Sequence, residues 1–268
     1  MNPMKIQNIL LLALLVANSS VGADALSEAR ESYERKDYID AYAQFSAITD
    51  DESGDACYYL GVMNQQGWGK IADQSKAAEF YGCAIAKQHL RAMHNLAGMY
   101  HRGQGVSLDL RKARELYARS ANLGGSKSAH RLGLIYFQGD GVERDFVTAR
   151  KWWRKAFDGG EADAGYNLGI VYKRGLGVPR DDAAAVEIWR SAAELGSAHA
   201  QNVYGTALMN GDGVAPDAIS AYAWFRAAAN AGISVAQVNS ELIWQSLNPE
   251  AQELALQKAQ SLQHSLGE

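Results

Sequence analysis

Threonine occupies three positions of this 268-residue chain, cysteine two and proline four. Little Thr removes one of the principal strand formers, and little Pro leaves the chain almost free of helix breakers. Alanine is the commonest residue, so the composition favours helix strongly and strand hardly at all. An excess of either charge is missing as well. Formal net charge is −4, with 47% apolar and 21% charged residues, which places the chain among ordinary globular proteins and argues against a general nucleic-acid binder. No apolar run is long enough to span a bilayer: Ile9 to Ala17 is nine residues, against the ~20 a spanning helix needs.

That short run has a different reading. Met1 to Asn8 carries one Lys and no acid, and small residues follow the run at Val21-Gly22-Ala23 and Ala23-Asp24-Ala25. The pattern predicts a secretory signal peptide over residues 1–23, with an N-terminal membrane anchor as the alternative. Cleavage is expected to leave a chain starting at Asp24 or Leu26. No Cys follows the run as a lipid-anchored N-terminus of the bacterial type requires, and the last residues, Ser265-Leu266-Gly267-Glu268, are not a lumenal retention signal. The expected product is exported and periplasmic, with no integral membrane span. That compartment permits a disulfide.

What the chain does have is glycine, 26 of them, and in a helical chain they belong at turns. Their spacing is regular. Gly67, Gly103, Gly139, Gly175 and Gly211 are each 36 residues apart, and so are Gly69, Gly105, Gly141, Gly177 and Gly213. Asp73, Asp109, Asp145, Asp181 and Asp217 keep the same step, as do Ala77, Ala113, Ala149, Ala185 and Ala221. Four columns in one register define repeats at 56–91, 92–127, 128–163, 164–199 and 200–235. Residues 24–55 are expected to form a degenerate leading repeat or cap, with Ala41 and Phe45 in second-helix columns, and 236–268 a C-terminal cap.

Each column has a physical role. Leu60, Leu96, Leu132 and Leu168, followed four residues on by Asn64, Tyr100, Tyr136 and Tyr172, mark the buried stripe of a first helix. A Gly-x-Gly turn ends that helix, because a helix commonly stops on a residue with positive φ. The Asp column then caps a second helix. Paired bulky residues follow: Phe80-Tyr81, Leu116-Tyr117, Trp152-Trp153, Ile188-Trp189 and Trp224-Phe225. Gly61, Gly133, Gly169 and Gly205 are expected to face the repeated Ala of the second helix, with Ala97 in the same column. In the first repeat, Trp68 within the turn and Lys70 in place of Val predict a distorted turn. Asn248-Pro249-Glu250 reads as the start of a last helix.

The pattern Ala164-x-x-x-Leu168-Gly169-x-x-Tyr172-x-x-Gly175-x-Gly177-Val178-x-x-Asp181, closing with Ile188-Trp189 and Ala192-Ala193-x-x-Gly196, resembles the Sel-one-like repeat (SLR), an α/α relative of the tetratricopeptide repeat. The likeness covers residues 56–235. It implies an all-α fold, a right-handed α/α superhelical solenoid of helix-turn-helix repeats whose first helices line a concave face. By analogy with the tetratricopeptide cousin, that face holds Tyr58, His94, His130, Tyr166 and Asn202 in one row, and Gln65, His101, Arg102, Phe137, Lys173, Arg174 and Met209 in another. Nine of them are the expected partner-binding groove: Tyr58, His94, His101, Arg102, His130, Phe137, Tyr166, Lys173 and Arg174. This group is basic and aromatic on an acidic chain, so an acidic segment of a partner protein is its expected ligand.

Catalytic signatures are missing: there is no His-Glu-x-x-His, no Gly-x-Ser-x-Gly and no phosphate-binding loop ending in Gly-Lys-Ser/Thr. His94 and His101 are seven residues apart, two helical turns, too far to chelate one metal without help. Asp50, Asp51, Glu52 and Asp55 do not have calcium-loop spacing and read as a solvated connection. No cofactor and no metal are expected. A cysteine-rich branch of the family, for which penicillin binding and weak β-lactam hydrolysis have been proposed, places a Cys on the column of Cys57, but its partner column here is Thr49. Cys57, near the start of its first helix, and Cys83, in the second half of the next, fall at levels an antiparallel hairpin brings together. One intra-repeat disulfide is expected, with two free thiols as the alternative. The resemblance implies a non-enzymatic exported scaffold or adaptor that binds protein in envelope regulation or complex assembly. An immunity protein against a periplasm-delivered toxin, and a weak cell-wall or β-lactam hydrolase, are the alternatives.

Overall fold

The computed structural model describes residues 24–48 and 51–267. The expected signal peptide, residues 1–23, lies outside the described residues. Among those described there are helices and turns and no strand. The chain divides after Leu123 into two compact units. The first holds α1 (residues 24–34), α2 (Tyr38–Ala47), α3 (Asp55–Gln66), α4 (Gln74–Ala86), α5 (Leu90–Arg102) and α6 (Leu110–Asn122). The second holds α7 (Ser126–Gln138), α8 (Phe146–Asp158), α9 (Ala162–Arg174), α10 (Asp182–Glu194), α11 (Ala198–Asn210), α12 (Ala218–Asn230), α13 (Ser234–Ser246) and α14 (Pro249–Gly267). The fold is all-α, a tandem of α/α hairpins of the expected class.

Local chemistry fixes each hairpin. The first Gly of every Gly-x-Gly turn ends its helix at positive φ, from 65° at Gly103 to 78° at Gly139, where a β-carbon is penalised. The second Gly meets a further demand. A β-carbon at Gly105 would collide with the backbone of Gln74, and one at Gly213 with the backbone of Asp182, each at the start of the preceding repeat's second helix. The Asp column then works at both ends of its residue. Its carboxylate accepts from the backbone N–H three residues on, as Asp109 does from Lys112 and Asp181 from Ala184. Its own N–H donates to a carbonyl in the last turns of the first helix, Asp109 to Tyr100 and Asp181 to Tyr172 at 3.0 Å. Each such cap contributes about 1 kcal/mol.

The first repeat's turn is regular, contrary to the distortion its Trp68 and Lys70 predict. Gly67 and Gly69 both sit at φ 75°, and Asp73 donates to Asn64 and caps Lys76 as in the other repeats. Trp68 is accommodated outside the turn, stacked 4.9 Å from the Tyr38 ring, so its bulk costs the turn nothing.

Packing corrects a second expectation. The glycines in the first helices do not face the repeated Ala but the aromatic ring of the second helix. A β-carbon at Gly61 would strike Tyr81, at Gly133 Trp153, at Gly169 Trp189 and at Gly205 Phe225. Those rings lie flat on the first-helix backbone and are nearly inaccessible, while Ala77, Ala113, Ala149, Ala185 and Ala221 are buried in columns of their own. The Leu60, Leu96, Leu132 and Leu168 column is buried as expected. Tyr100, Tyr136 and Tyr172 are only half-buried; Lys112 lies 4.4 Å over the Tyr100 ring, and Arg150 donates to the Tyr172 hydroxyl.

Both termini of the tandem match the sequence reading. Ala41 and Phe45 are fully buried, Phe45 stacking 4.8 Å from Tyr59. Asn248 caps α14 through the Ala251 N–H. Cys57 of α3 and Cys83 of α4 form the expected disulfide, their Cα atoms 5.9 Å apart.

Candidate partner-binding surface

In the first unit, Tyr58 projects from α3 and is half-buried, its ring stacked 4.4 Å from His89 and edge-on to Tyr59. Its hydroxyl meets Arg91 and Asn95, and burial raises its pKa against the lowering effect of Arg91. Asn95 also donates to the Tyr81 hydroxyl, which donates to Gln65 at 2.7 Å. A short polar chain thus runs beneath Tyr58. His94 is half-buried with its ring edge-on to Tyr117 at 5.3 Å. His101 and Arg102 close α5, where cations complement the helix dipole. Arg102 is exposed and donates to Gln104.

His89 is a residue that sequence reasoning missed. Its Nδ1 accepts from the Ala92 N–H and so caps α5, while Nε2 lies 2.9 Å from Asp55, which also pairs with Arg30. Nδ1 must therefore be unprotonated, with the ring proton on Nε2 facing the carboxylate. Burial lowers the pKa, and Arg91 adds to the lowering. Thirty-six-residue counting from Ser197, which caps α11 and bonds to Asp163, falls on His89, and that register was the available signal.

In the second unit, His130 is mostly buried and accepts from the Asn167 amide at 2.9 Å. Burial lowers its pKa. Glu161, 3.9 Å away, is raised by burial. Phe137 is wedged between Phe146 and Trp153. Tyr166 lies 5.3 Å from His199, and its carbonyl accepts from the Trp189 indole. Lys173 is ion-paired with Asp182 at 3.0 Å and Asp212 at 3.5 Å. Arg180 forks onto the same Asp182, and with Lys173 it holds that carboxyl far below the usual carboxylate range. The Lys173 charge is thereby compensated within the chain. Arg174 stands exposed at the end of α9.

One column deserves comparison with the invariant ones. Tyr58, His94, His130, Tyr166 and Asn202 occupy one register position, each is half-buried, and the residue type changes from repeat to repeat. The Gly, Asp and Ala columns that build the turns and cores do not change. Among the described residues no group of three or more His, Cys, Asp or Glu side chains is assembled as a metal site, and no helix is long and apolar enough to cross a membrane.

Comparison with known proteins bears on the same repeats. The Sel1 repeat family profile matches residues 54–89, 90–125, 126–161, 162–197 and 198–233. A Sel1 repeat protein from Oxalobacter formigenes is similar in structure, with TM-score 0.77 and 26% identity over 90% of this chain and 98% of that one. An immunity protein from Pseudomonas aeruginosa aligns at TM-score 0.49 and 20% identity, over 80% of this chain and 83% of its own. A protective antigen of uropathogenic Escherichia coli with an SLR fold aligns at 0.44 and 22%, over 85% and 65%. The comparison with curated proteins returned no match.

Proposed function

We propose that this chain, which belongs to the Sel1 repeat family, is a non-enzymatic exported scaffold that holds a partner protein against the solvent-facing side of its first helices. Sel1 repeats commonly mediate protein–protein interaction. The observation that carries the reading here is the half-buried column Tyr58, His94, His130, Tyr166 and Asn202. Its side chains vary at a register that the fold holds constant. Fixed backbone with changing side chains is what a recognition surface requires. Arg102, on the same helix as His94, and Arg174, on the same helix as Tyr166, are exposed cations and supply charge for an acidic partner segment.

Export is part of the proposal. The Cys57–Cys83 disulfide supports an oxidising compartment, and the periplasm fits the signal-peptide reading of residues 1–23. N-terminal sequencing of exported material should begin at Asp24 or Leu26, and recovery of Met1 would contradict cleavage. For the surface, wild type and an Arg102→Glu, Arg174→Glu variant serve as baits in an envelope extract. The wild type is expected to retain a partner that the variant loses. Equal capture by both would remove the first-helix surface from the proposal.

A further inference from the structure

A different surface carries a denser run of positive charge than the first-helix rows. Helix α8 places Arg150, Lys151, Arg154 and Lys155 within six consecutive positions of a chain whose net charge is −4. Arg150 and Arg154, one helical turn apart, both hydrogen-bond the hydroxyl of Tyr172 on α9. Two guanidinium groups therefore converge on one neutral oxygen. Among the described residues no carboxylate lies within ion-pair distance of Arg150 or Arg154. Asp145 caps α8 through Thr148 and its charge is also felt by Lys151, while Asp158, one turn beyond Arg154, makes no ion pair with it. The Arg150 Nε is buried and has no acceptor. Other cations of this unit do find carboxylates: Arg180 and Lys173 pair with Asp182, and Arg190 with Glu187 and Glu194.

A neutral hydroxyl is a poor counterpart for two full charges. Paired guanidinium groups match the two oxygens of a carboxylate in geometry as well as in charge. We propose that this face of α8, with Tyr172 at its edge, is a docking surface for an acidic segment of a partner protein, whose Asp or Glu carboxylate sits between Arg150 and Arg154. Charge complementarity selects the occupant. Three cations on one helix turn suit a short run of acidic side chains, whereas an anionic bilayer would also meet the acidic remainder of the chain and be repelled. The direction of the Tyr172 titration agrees, since Arg150 chiefly and Arg154 secondarily lower it by favouring negative charge on that oxygen. The proposal rests on the scaffold reading only in taking a protein as occupant, and it concerns a surface that reading does not use.

The probe is a fluorescein-labelled peptide of six glutamates, with a six-glutamine peptide and phosphatidylglycerol vesicles as comparison arms, all against the full chain at low salt. Anisotropy should show binding of the glutamate peptide alone, weakening steeply as salt is added. Arg154→Gln, an exposed substitution, should weaken it by about tenfold, and Arg150→Lys, which keeps charge but loses the fork, by a smaller factor. Arg190→Gln, which removes a cation already paired with Glu187 and Glu194, should leave it unchanged, with circular dichroism melts confirming that each variant folds. Equal binding of the glutamine peptide, binding that survives Arg154→Gln, or binding to vesicles but not peptide would each overturn the proposal. None of these results touches the envelope-capture test of Arg102 and Arg174, so the two readings fail separately.

Discussion

The hairpins α3–α4 and α9–α10 occupy equivalent places in the repeat and are held together by different means. In α9–α10 the buried column is filled by Leu168 and Trp189. The Trp189 indole donates to the Tyr166 carbonyl, and Lys173 bridges to Asp182 across the hairpin. In α3–α4 the ring is Tyr81. Asn64 is fully buried with its Oδ1 lacking a partner, and the closing turn carries Gln88 at φ 61° where the later repeats have Gly124, Gly160, Gly196 and Gly232. A covalent bond, Cys57–Cys83, joins this hairpin and has no counterpart in α9–α10. One period can thus tolerate local departures from its own pattern, provided another kind of interaction offsets them.

That contrast breaks most sharply if the bond is removed. Replacing Cys57 and Cys83 by Ser should cost roughly 3 kcal/mol by the chain-entropy argument for a loop of this size. Thermal melts of the double variant, with and without reductant, would measure it. If reductant lowers the melt of wild type no further than that of the variant, the staple is the whole difference. The packed hairpin has its own weak point. Gly169→Ala drives a methyl into the Trp189 ring and should cost about 2 kcal/mol, read as a shift in denaturant midpoint. Gly82→Ala, where a β-carbon meets nothing within 4 Å, is the matched control and should not destabilise.

Acid sharpens the comparison further. His89, which caps α5 beyond the stapled hairpin, has its folded pKa lowered by burial first and Arg91 second. Its neutral form is favoured by folding, so its contribution is fully present above the unfolded value near 6.5 and is lost as pH falls through the folded value. Ser197, the equivalent cap after α10, does not titrate. Melts recorded between about pH 7.5 and 5 should fall for wild type and fall less for His89→Asn, which keeps a capping side chain without the proton. His130 contributes with the same sign in both proteins, so the difference between them isolates His89. The smallest effect is a gain: Gln88→Gly should stabilise by about 0.5 kcal/mol, since only the positive φ is relieved. A loss would mean that the Gln88 side chain contributes an interaction of its own.

Much of the fold was legible because its determinants act over short sequence distances. A Gly that must adopt positive φ, an Asp that caps three residues on and a Leu stripe at i, i+4 leave a direct trace at fixed spacing, and 36-residue repetition multiplies it. The disulfide was legible for a related reason: only two cysteines exist, and a hairpin fixes which levels meet. What stayed hidden depends on register between helices. Nothing local says that Gly133 meets the Trp153 ring rather than the Ala149 methyl. The Asp212 that helps compensate Lys173 lies in the next repeat. Tyr172 gathers Arg150 and Arg154 from the hairpin before its own. His89 was missed because a histidine ring capping through Nδ1 has no place in the usual Ser, Thr, Asp and Asn signature.

The two-way use of each turn also sets a unit of length for the chain. Its second Gly touches the helix of one repeat while its Asp ties the two helices of the next, as Gly213 against Asp182 and Asp217 between Leu208 and Ser220 both show. A residue added or deleted between them would shift one contact without the other, leaving either a collision or an uncapped helix. Such a chain can be made longer or shorter only by whole 36-residue steps, cut at equivalent points. A duplicated repeat should be accepted where a single inserted residue in the turn is refused.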